Sequence, residues 1–143
     1  MENVLSIIPL GGVEEIGLNS TVIEYGNDLI LIDAGLMFPE EDMLGVDFVI
    51  PDFSYLLDNR EKIRGIVITH GHEDHTGALP FLMKEIDVPI YGTPLTLGLI
   101  KEKLKEHNLE HIRLIPVRPR DIINLGIFEI EFVRVTHSIV DGV

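Results

Sequence analysis

Thr69-His70-Gly71-His72-Glu73-Asp74-His75-Thr76-Gly77, or THGHEDHTG, places three histidines and an aspartate within a few residues of one another. The run IRGIVIT over residues 63–69 leads into it, so these polar groups stand where a buried strand ends. In an extended or loop backbone His70 and His72 are two apart and project to the same side. Both imidazoles can then meet one cation, with Gly71 letting the chain bend closely around it. Asp74 and His75 follow at the turn into a helix and add a hard oxygen and another imidazole on the neighbouring side. This is donor material for two metals a short distance apart. The mixture of imidazole and carboxylate suits zinc, and it also accommodates manganese, magnesium or a similar divalent ion. Glu73 is expected to face solvent.

A metal held by His70 and His72 needs at least one more protein ligand and an open position for water. His137 is the candidate, because it ends an apolar run over residues 132–136 as His70 ends its own. His107 and His111 read as surface residues. Asp33 closes the strand Leu29-Ile30-Leu31-Ile32 and precedes Ala34-Gly35. It is either a turn-forming aspartate or an acceptor that orients metal-binding groups by hydrogen bonding, and the residues alone leave the two equal.

Around this segment, residues 4–10, 21–25 and 29–32 read as strands, the last two joined by Gly26-Asn27, a pair suited to the positive φ angles of a tight hairpin. Residues 78–86 have helical spacing, with Pro80 tolerable near the start, and residues 88–91 form a short strand. Thr93-Pro94 supplies an N-cap and a first-turn proline for a helix to about His107. Leu95, Leu99, Ile100 and Leu104 are expected on its buried face. Residues 112–117, 122–125 and 128–135 are further strands. Strands, then strand and helix alternating, then strands again suggest an α/β layer fold.

Composition narrows the function. With 143 residues there is material for one domain with a real core. Lys and Arg total 11 against 24 Asp and Glu, giving a net charge of −13. Nonspecific attraction to a polyanion or an anionic membrane is therefore disfavoured, and a nucleic-acid role needs a local site or surface outside this chain. The absence of cysteine excludes disulfides, thiol catalysis and Cys-ligated zinc. Residues 1–9 lack the basic start of a signal peptide, and no run of about 18 apolar residues occurs, so a soluble cytoplasmic protein is expected. Residues 135–143 stop without a capping helix, which reads as a truncated domain.

The segment THGHEDH matches the HxHxDH signature of the metallo-β-lactamase superfamily, with Asp33 and His137 at the positions of its first and third motifs. Longer stretches resemble the ribonuclease J family of the β-CASP group. These are Leu10-Gly11-Gly12 with Glu15-Ile16-Gly17 and Asn19, Ile32-Asp33-Ala34-Gly35-Leu36-Met37-Phe38-Pro39-Glu40, Leu44-Gly45-Val46-Asp47 with Val49-Ile50-Pro51-Asp52, and Thr136-His137-Ser138-Ile139. Glu14, Leu18 and Val140 depart from it, standing where the family usually has glycine, lysine and proline.

The resemblance implies a four-layer αββα sandwich, of which residues 1–143 are the N-terminal, incomplete portion, with the β-CASP and C-terminal domains outside this chain. It implies two zincs, one on His70, His72 and His137 and the other on Asp74 and His75, with Asp33 behind the ligands. Asp74 would help to hold a zinc-activated water. A bridging aspartate and a last histidine would lie beyond Val143, so the residues at hand would be inactive alone. A structural calcium on the carbonyls of Met43 and Gly45 is also implied. The implied activity is 5′-to-3′ exonucleolytic and endonucleolytic hydrolysis of RNA in maturation, ribosomal RNA processing included, and decay. The implied partners are RNA, further copies of the full-length protein in a homo-oligomer and RNA-decay proteins, with no membrane. Two alternatives stand beside it: a thioesterase-type hydrolase, which would share the metal motif but not the LGG, FPE and IPD stretches, and a non-catalytic scaffold subunit, against which five intact ligand-type residues count.

Overall fold

Short apolar runs near the N-terminus pair into an antiparallel meander of β1 (Leu5–Gly11), β2 (Ser20–Tyr25) and β3 (Asp28–Ile32). The computed structural model describes residues 3–143; Met1 and Glu2, part of the start read as lacking a leader, lie outside the described residues. Of the hairpin pair Gly26-Asn27 only Gly26 takes a positive φ, at 61°. A crossover through α1 (Ser54–Asp58) and a 3-10 turn (Arg60–Lys62) leads to β4 (Ile63–Val67), which lies parallel to β3. The chain continues through α2 (Glu73–Thr76), α3 (Leu79–Leu82), β5 (Ile90–Gly92), α4 (Pro94–Glu106) and β6 (Leu114–Pro116). These strands complete a six-stranded sheet in sequential order, and β7 (Ile122–Leu125) and β8 (Phe128–Glu131) form a separate antiparallel pair.

The two-residue period of a strand sorts the core into two sides. On β3, Leu29 and Leu31 join Leu56, Leu79, Leu82, Ile100 and Leu104 beneath the helices. Ile30, between them, points the other way and meets Val67, Val117, Leu125 and Phe132 under the β7–β8 pair. The described residues thus form three of the four layers expected of an αββα sandwich: helices, the large sheet, and the start of a second sheet. No helix among them is long and apolar enough to cross a membrane.

Several elements differ from expectation. The strand expected over 128–135 stops at Glu131. Phe132 N donates to Asp121 O at 3.0 Å and its carbonyl accepts Arg120 N at 2.7 Å, which ties Phe132 to a turn. The helix expected over 78–86 is regular only at Leu79–Leu82, with looser turns carrying on to Ile86. On α4 the buried residues are Thr96, Leu97, Ile100 and Leu104, while Leu95 and Leu99 are 38% and 39% exposed. Thr93 does not cap this helix: its hydroxyl donates to Asp141 O at 2.9 Å and lies 3.0 Å from Thr96 Oγ1, turning the buried face toward the threonines. Helix α1, too short for periodicity to reveal, starts where Asp52 Oδ1 accepts Ser54 N at 2.9 Å.

Candidate metal centre

Strand β4 delivers the chain to the C-terminal end of the large sheet, where Ile68 N still donates to Tyr91 O at 2.9 Å before the polar segment begins. His70 is only 7% exposed. Its ring lies 4.9 Å from that of His72, 4.1 Å from His75 and 4.4 Å from His137, centroid to centroid. One ring nitrogen each of His70, His72 and His137 fall within 4.8 Å of one another. His70 Nε2 is buried without a hydrogen-bond partner. A buried nitrogen left so is costly unless something outside the protein satisfies it, and a divalent ion among three imidazoles does. The residues present therefore fit a metal.

His137 reaches this cluster on a loop, not from the strand end that the sequence suggested. The loop is pinned by Val143 N donating to Thr69 O at 2.9 Å, Val135 N to Gly142 O at 3.2 Å, and the Thr93 hydroxyl to Asp141 O.

Asp33 is both a turn residue and a buried hydrogen-bond acceptor. Its φ of 62° makes it a turn residue, and its N–H donates to Val67 O at 2.9 Å. Its carboxylate is buried and accepts three bonds: Thr69 N at 2.8 Å on Oδ1, and Thr69 Oγ1 at 2.8 Å and His75 Nδ1 at 2.7 Å on Oδ2. With the Thr69 proton directed at Asp33, Thr69 Oγ1 is free to accept from His70 Nδ1, 3.0 Å away. Both histidines then carry their proton on Nδ1 and turn the Nε2 lone pair outward, the arrangement common behind metal-binding imidazoles. Burial, reinforced by the neighbouring His75 and His137 imidazoles and opposed by Asp33, pushes His70 down to about 4, so it is neutral at physiological pH. Burial also works against charge on His75, but the Asp33 hydrogen bond and the Asp33 and Asp74 carboxylates outweigh it and raise that pKa.

Asp74 Oδ2 lies 3.5 Å from His75 Nε2, close to the separation of about 3.3 Å for two donors on one tetrahedral ion with bonds near 2.05 Å. Asn19 fixes Asp74 in place. Its side-chain amide donates to Asp74 O at 3.1 Å and to Oδ2 at 3.2 Å, and its backbone N–H also donates to Asp74 O at 3.1 Å. Gly35 is obligatory beside them, because a Cβ there would fall 1.6 Å from Asp74 O.

The profile described as the Metallo-beta-lactamase superfamily matches residues 15–142. The chain belongs to this superfamily. Ribonuclease J of Synechocystis sp. is 51% identical over 96% of the chain, and ribonuclease J of Helicobacter pylori is 53% identical over 96%. The chain spans 22% and 20% of the length of these two relatives and matches their N-terminal part. Among solved structures, a diphosphatase of the PhnP family superposes with a TM-score of 0.55 and 24% identity, over 85% of this chain and 54% of that one. This last likeness shows the fold alone.

Other residues of this metallo-β-lactamase domain lie apart from the cluster. Glu73 faces solvent as expected and pairs with Lys103 of α4. His111 is exposed, and His107 is half-buried with its ring 5.7 Å from that of Phe81. Met43 and Gly45 occupy exposed turns, where Met43 O accepts Val46 N at 3.3 Å; the only cluster of three side-chain donors among the described residues is the histidine one. A Cβ at Gly71 would meet Leu99 Cδ1 at 2.6 Å, so this glycine also admits the α4 side chain over the loop. Glu14 and Leu18, the departures from the family pattern, both hold positive φ, at 58° and 56°. Asn19 and Thr69 were not singled out as site residues. Their partners lie 55 and 36 residues away in sequence, beyond any local pattern.

Proposed function

We propose that this chain is the N-terminal part of a zinc-dependent ribonuclease that hydrolyses RNA phosphodiesters from the 5′ end and internally. The β-CASP and C-terminal domains of the complete enzyme lie outside these 143 residues. The observation that carries the reading is the pairing of about 50% identity to ribonuclease J relatives with a three-histidine cluster whose buried nitrogen lacks a partner.

His70, His72 and His137 would hold one zinc, and Asp74 and His75 would contribute to a second. Zinc is favoured over manganese or magnesium because the first set is all imidazole. When bound, such ions supply Lewis acidity and charge neutralisation for phosphodiester hydrolysis. The chain's own part is orientation. Asp33 sets the tautomers of His70 and His75, Asn19 aims Asp74, and the 135–143 loop presents His137. A structural calcium on the Met43 and Gly45 carbonyls, a cytoplasmic location, homo-oligomerisation and RNA-decay partners belong to the same reading and rest on the ribonuclease J resemblance.

The test is substrate choice by the full-length protein. Single-stranded RNA should be degraded, faster with a 5′-monophosphate than a 5′-triphosphate, and His72→Ala should abolish it. Efficient hydrolysis of a glutathione thioester or a β-lactam, with both RNAs left intact, would defeat the ribonuclease reading.

A further inference from the structure

A cleft of about 530 Å³ opens between the start of α4 and the turn joining β6 to β7. Arg118, Arg120 and Arg134 line it, together with Thr93 and Asp141. All three arginines are exposed. Among the described residues these three arginines form no ion pair, and neither do Arg60, Lys84, Lys101, Lys105 and Arg113, whereas Lys62, Arg64 and Lys103 pair with Glu24, Asp28 and Glu73. The carboxylates nearby are Asp121, whose Oδ2 accepts Arg118 N at 2.7 Å, Asp141, whose Oδ2 accepts Leu95 N at 3.4 Å, and Glu131 on the adjoining surface. What sets these three apart is that they gather around one cleft in a chain with 24 carboxylates and a net charge of −13.

The arginines stand on a fixed frame. Arg118 N donates to Asp121 Oδ2 at 2.7 Å, Asp121 N to Arg118 O at 3.0 Å, and Arg120 N to the carbonyl of buried Phe132 at 2.7 Å. Arg120 is held at φ 77°, a left-handed conformation unfavourable for a non-glycine residue. Arg134 follows Phe132 by two residues and precedes His137 by three, and Asp141 lies on the same loop. One side of the cleft and the third histidine are thus carried by the same segment. Planar guanidinium forks match phosphate oxygens bidentately, and a polyanion repelled by the overall charge would need such a local site.

We propose that this cleft holds backbone phosphates of the RNA strand flanking the bond cut at the histidine cluster. The proposal rests on the ribonuclease reading above. Its test is fluorescence anisotropy of a short, labelled single-stranded oligoribonucleotide with the zinc-loaded chain across a salt series. Inorganic polyphosphate serves as the second probe. Arg118→Gln/Arg120→Gln/Arg134→Gln should weaken RNA binding at least about tenfold and flatten the log–log salt slope by about 2, as expected for three phosphate contacts at about 0.7 each. The zinc content should not change. Lys101→Gln/Lys105→Gln/Arg113→Gln, an equal change of charge elsewhere, should weaken binding less than about threefold.

Equal RNA affinity in the cleft variant and the parent overturns the inference, as does a failure of either probe to bind. Loss of polyphosphate binding alone, with RNA binding untouched, overturns it too. In the full-length protein the cleft variant should raise KM for RNA with kcat little changed. Cleavage of RNA with an unaltered KM would sink the inference and leave the ribonuclease reading standing. RNA bound through the cleft yet never cut would defeat the ribonuclease reading and keep the cleft only as a phosphate-binding site.

Discussion

Asp33 governs two imidazoles at once, directly through His75 Nδ1 and through the Thr69 hydroxyl toward His70. Asp33→Asn separates that role from backbone geometry, because asparagine tolerates the same left-handed φ. The amide keeps one acceptor but places an NH2 group where a proton must be received. Zinc affinity at neutral pH should fall by about 10–100-fold, as for other outer partners of metal-binding histidines, with far-UV circular dichroism unchanged. Chelator competition giving the same zinc affinity as the parent would show that Asp33 does not set the tautomers. At this scale the sequence reveals what neighbours share. His70, His72, Asp74 and His75 are apparent from spacing alone, because all four sit on one short segment. Asn19 and Thr69 become meaningful only once folding brings β3 and the 12–19 loop against that segment.

Strands were readable because each carries an apolar run between turn residues, whereas the buried face of α4 was readable only in part: Ile100 and Leu104 are buried as expected, and Leu95 and Leu99 are not. Its docking depends on the Thr93 hydroxyl, which lies against Thr96 Oγ1 and donates to Asp141 O, a contact that no helical periodicity encodes. Two glycines test how tightly elements meet at the site. Gly35→Ala drives a Cβ into the Asp74 carbonyl, backbone that cannot yield, so the variant should lose at least about 3 kcal/mol of stability or fail to fold. Gly71→Ala meets only the flexible end of Leu99, and urea denaturation should show a loss below about 1 kcal/mol. Comparable losses from the two would refute this ordering. A further tie joins β2 to the crossover, where Glu24 receives Lys62 Nζ at 2.8 Å and the Tyr55 hydroxyl. Burial opposes ionisation of Glu24, but the Lys62 and Tyr55 bonds prevail and lower its pKa. A lowered folded-state pKa means stability present above the ordinary carboxylate value and lost as pH falls through the folded one. Glu24→Gln should therefore be destabilised relative to the parent at pH 7, by about 1 kcal/mol for a partly screened pair, with the gap closing in the acid range below the usual glutamate pKa. A gap that widened on acidification would contradict the assignment.

Taken as a whole, the molecule brings unequal donor sets to the end of its large sheet. Three imidazoles from two segments 65 or more residues apart converge as one set, while among the described residues Asp74 and His75 stand beside it as a pair, 3.5 Å apart. The α/β layering was visible in the alternation of runs, but the partition of the core was not. Which residues of β3 and β4 face the helices and which face the β7–β8 pair depends on the sheet having two covered sides. That layering seats the histidines at a strand end and leaves the 135–143 loop to close over them. Three neutral nitrogen donors suffice for one tetrahedral zinc with water in the fourth position; two donors do not make a tight site. The chain should therefore bind about one zinc tightly, and a second at least about 100-fold more weakly. Removing His137 lowers the first set to two donors, so His137→Ala should bring the tight site down to the level of the weak one. Because each imidazole must be neutral to bind, the tight zinc should be released on acidification. Equilibrium dialysis with metal analysis reads all three quantities. Two tightly held zincs per chain, none, or a His137→Ala chain that keeps the tight one would each disprove the assignment of donors.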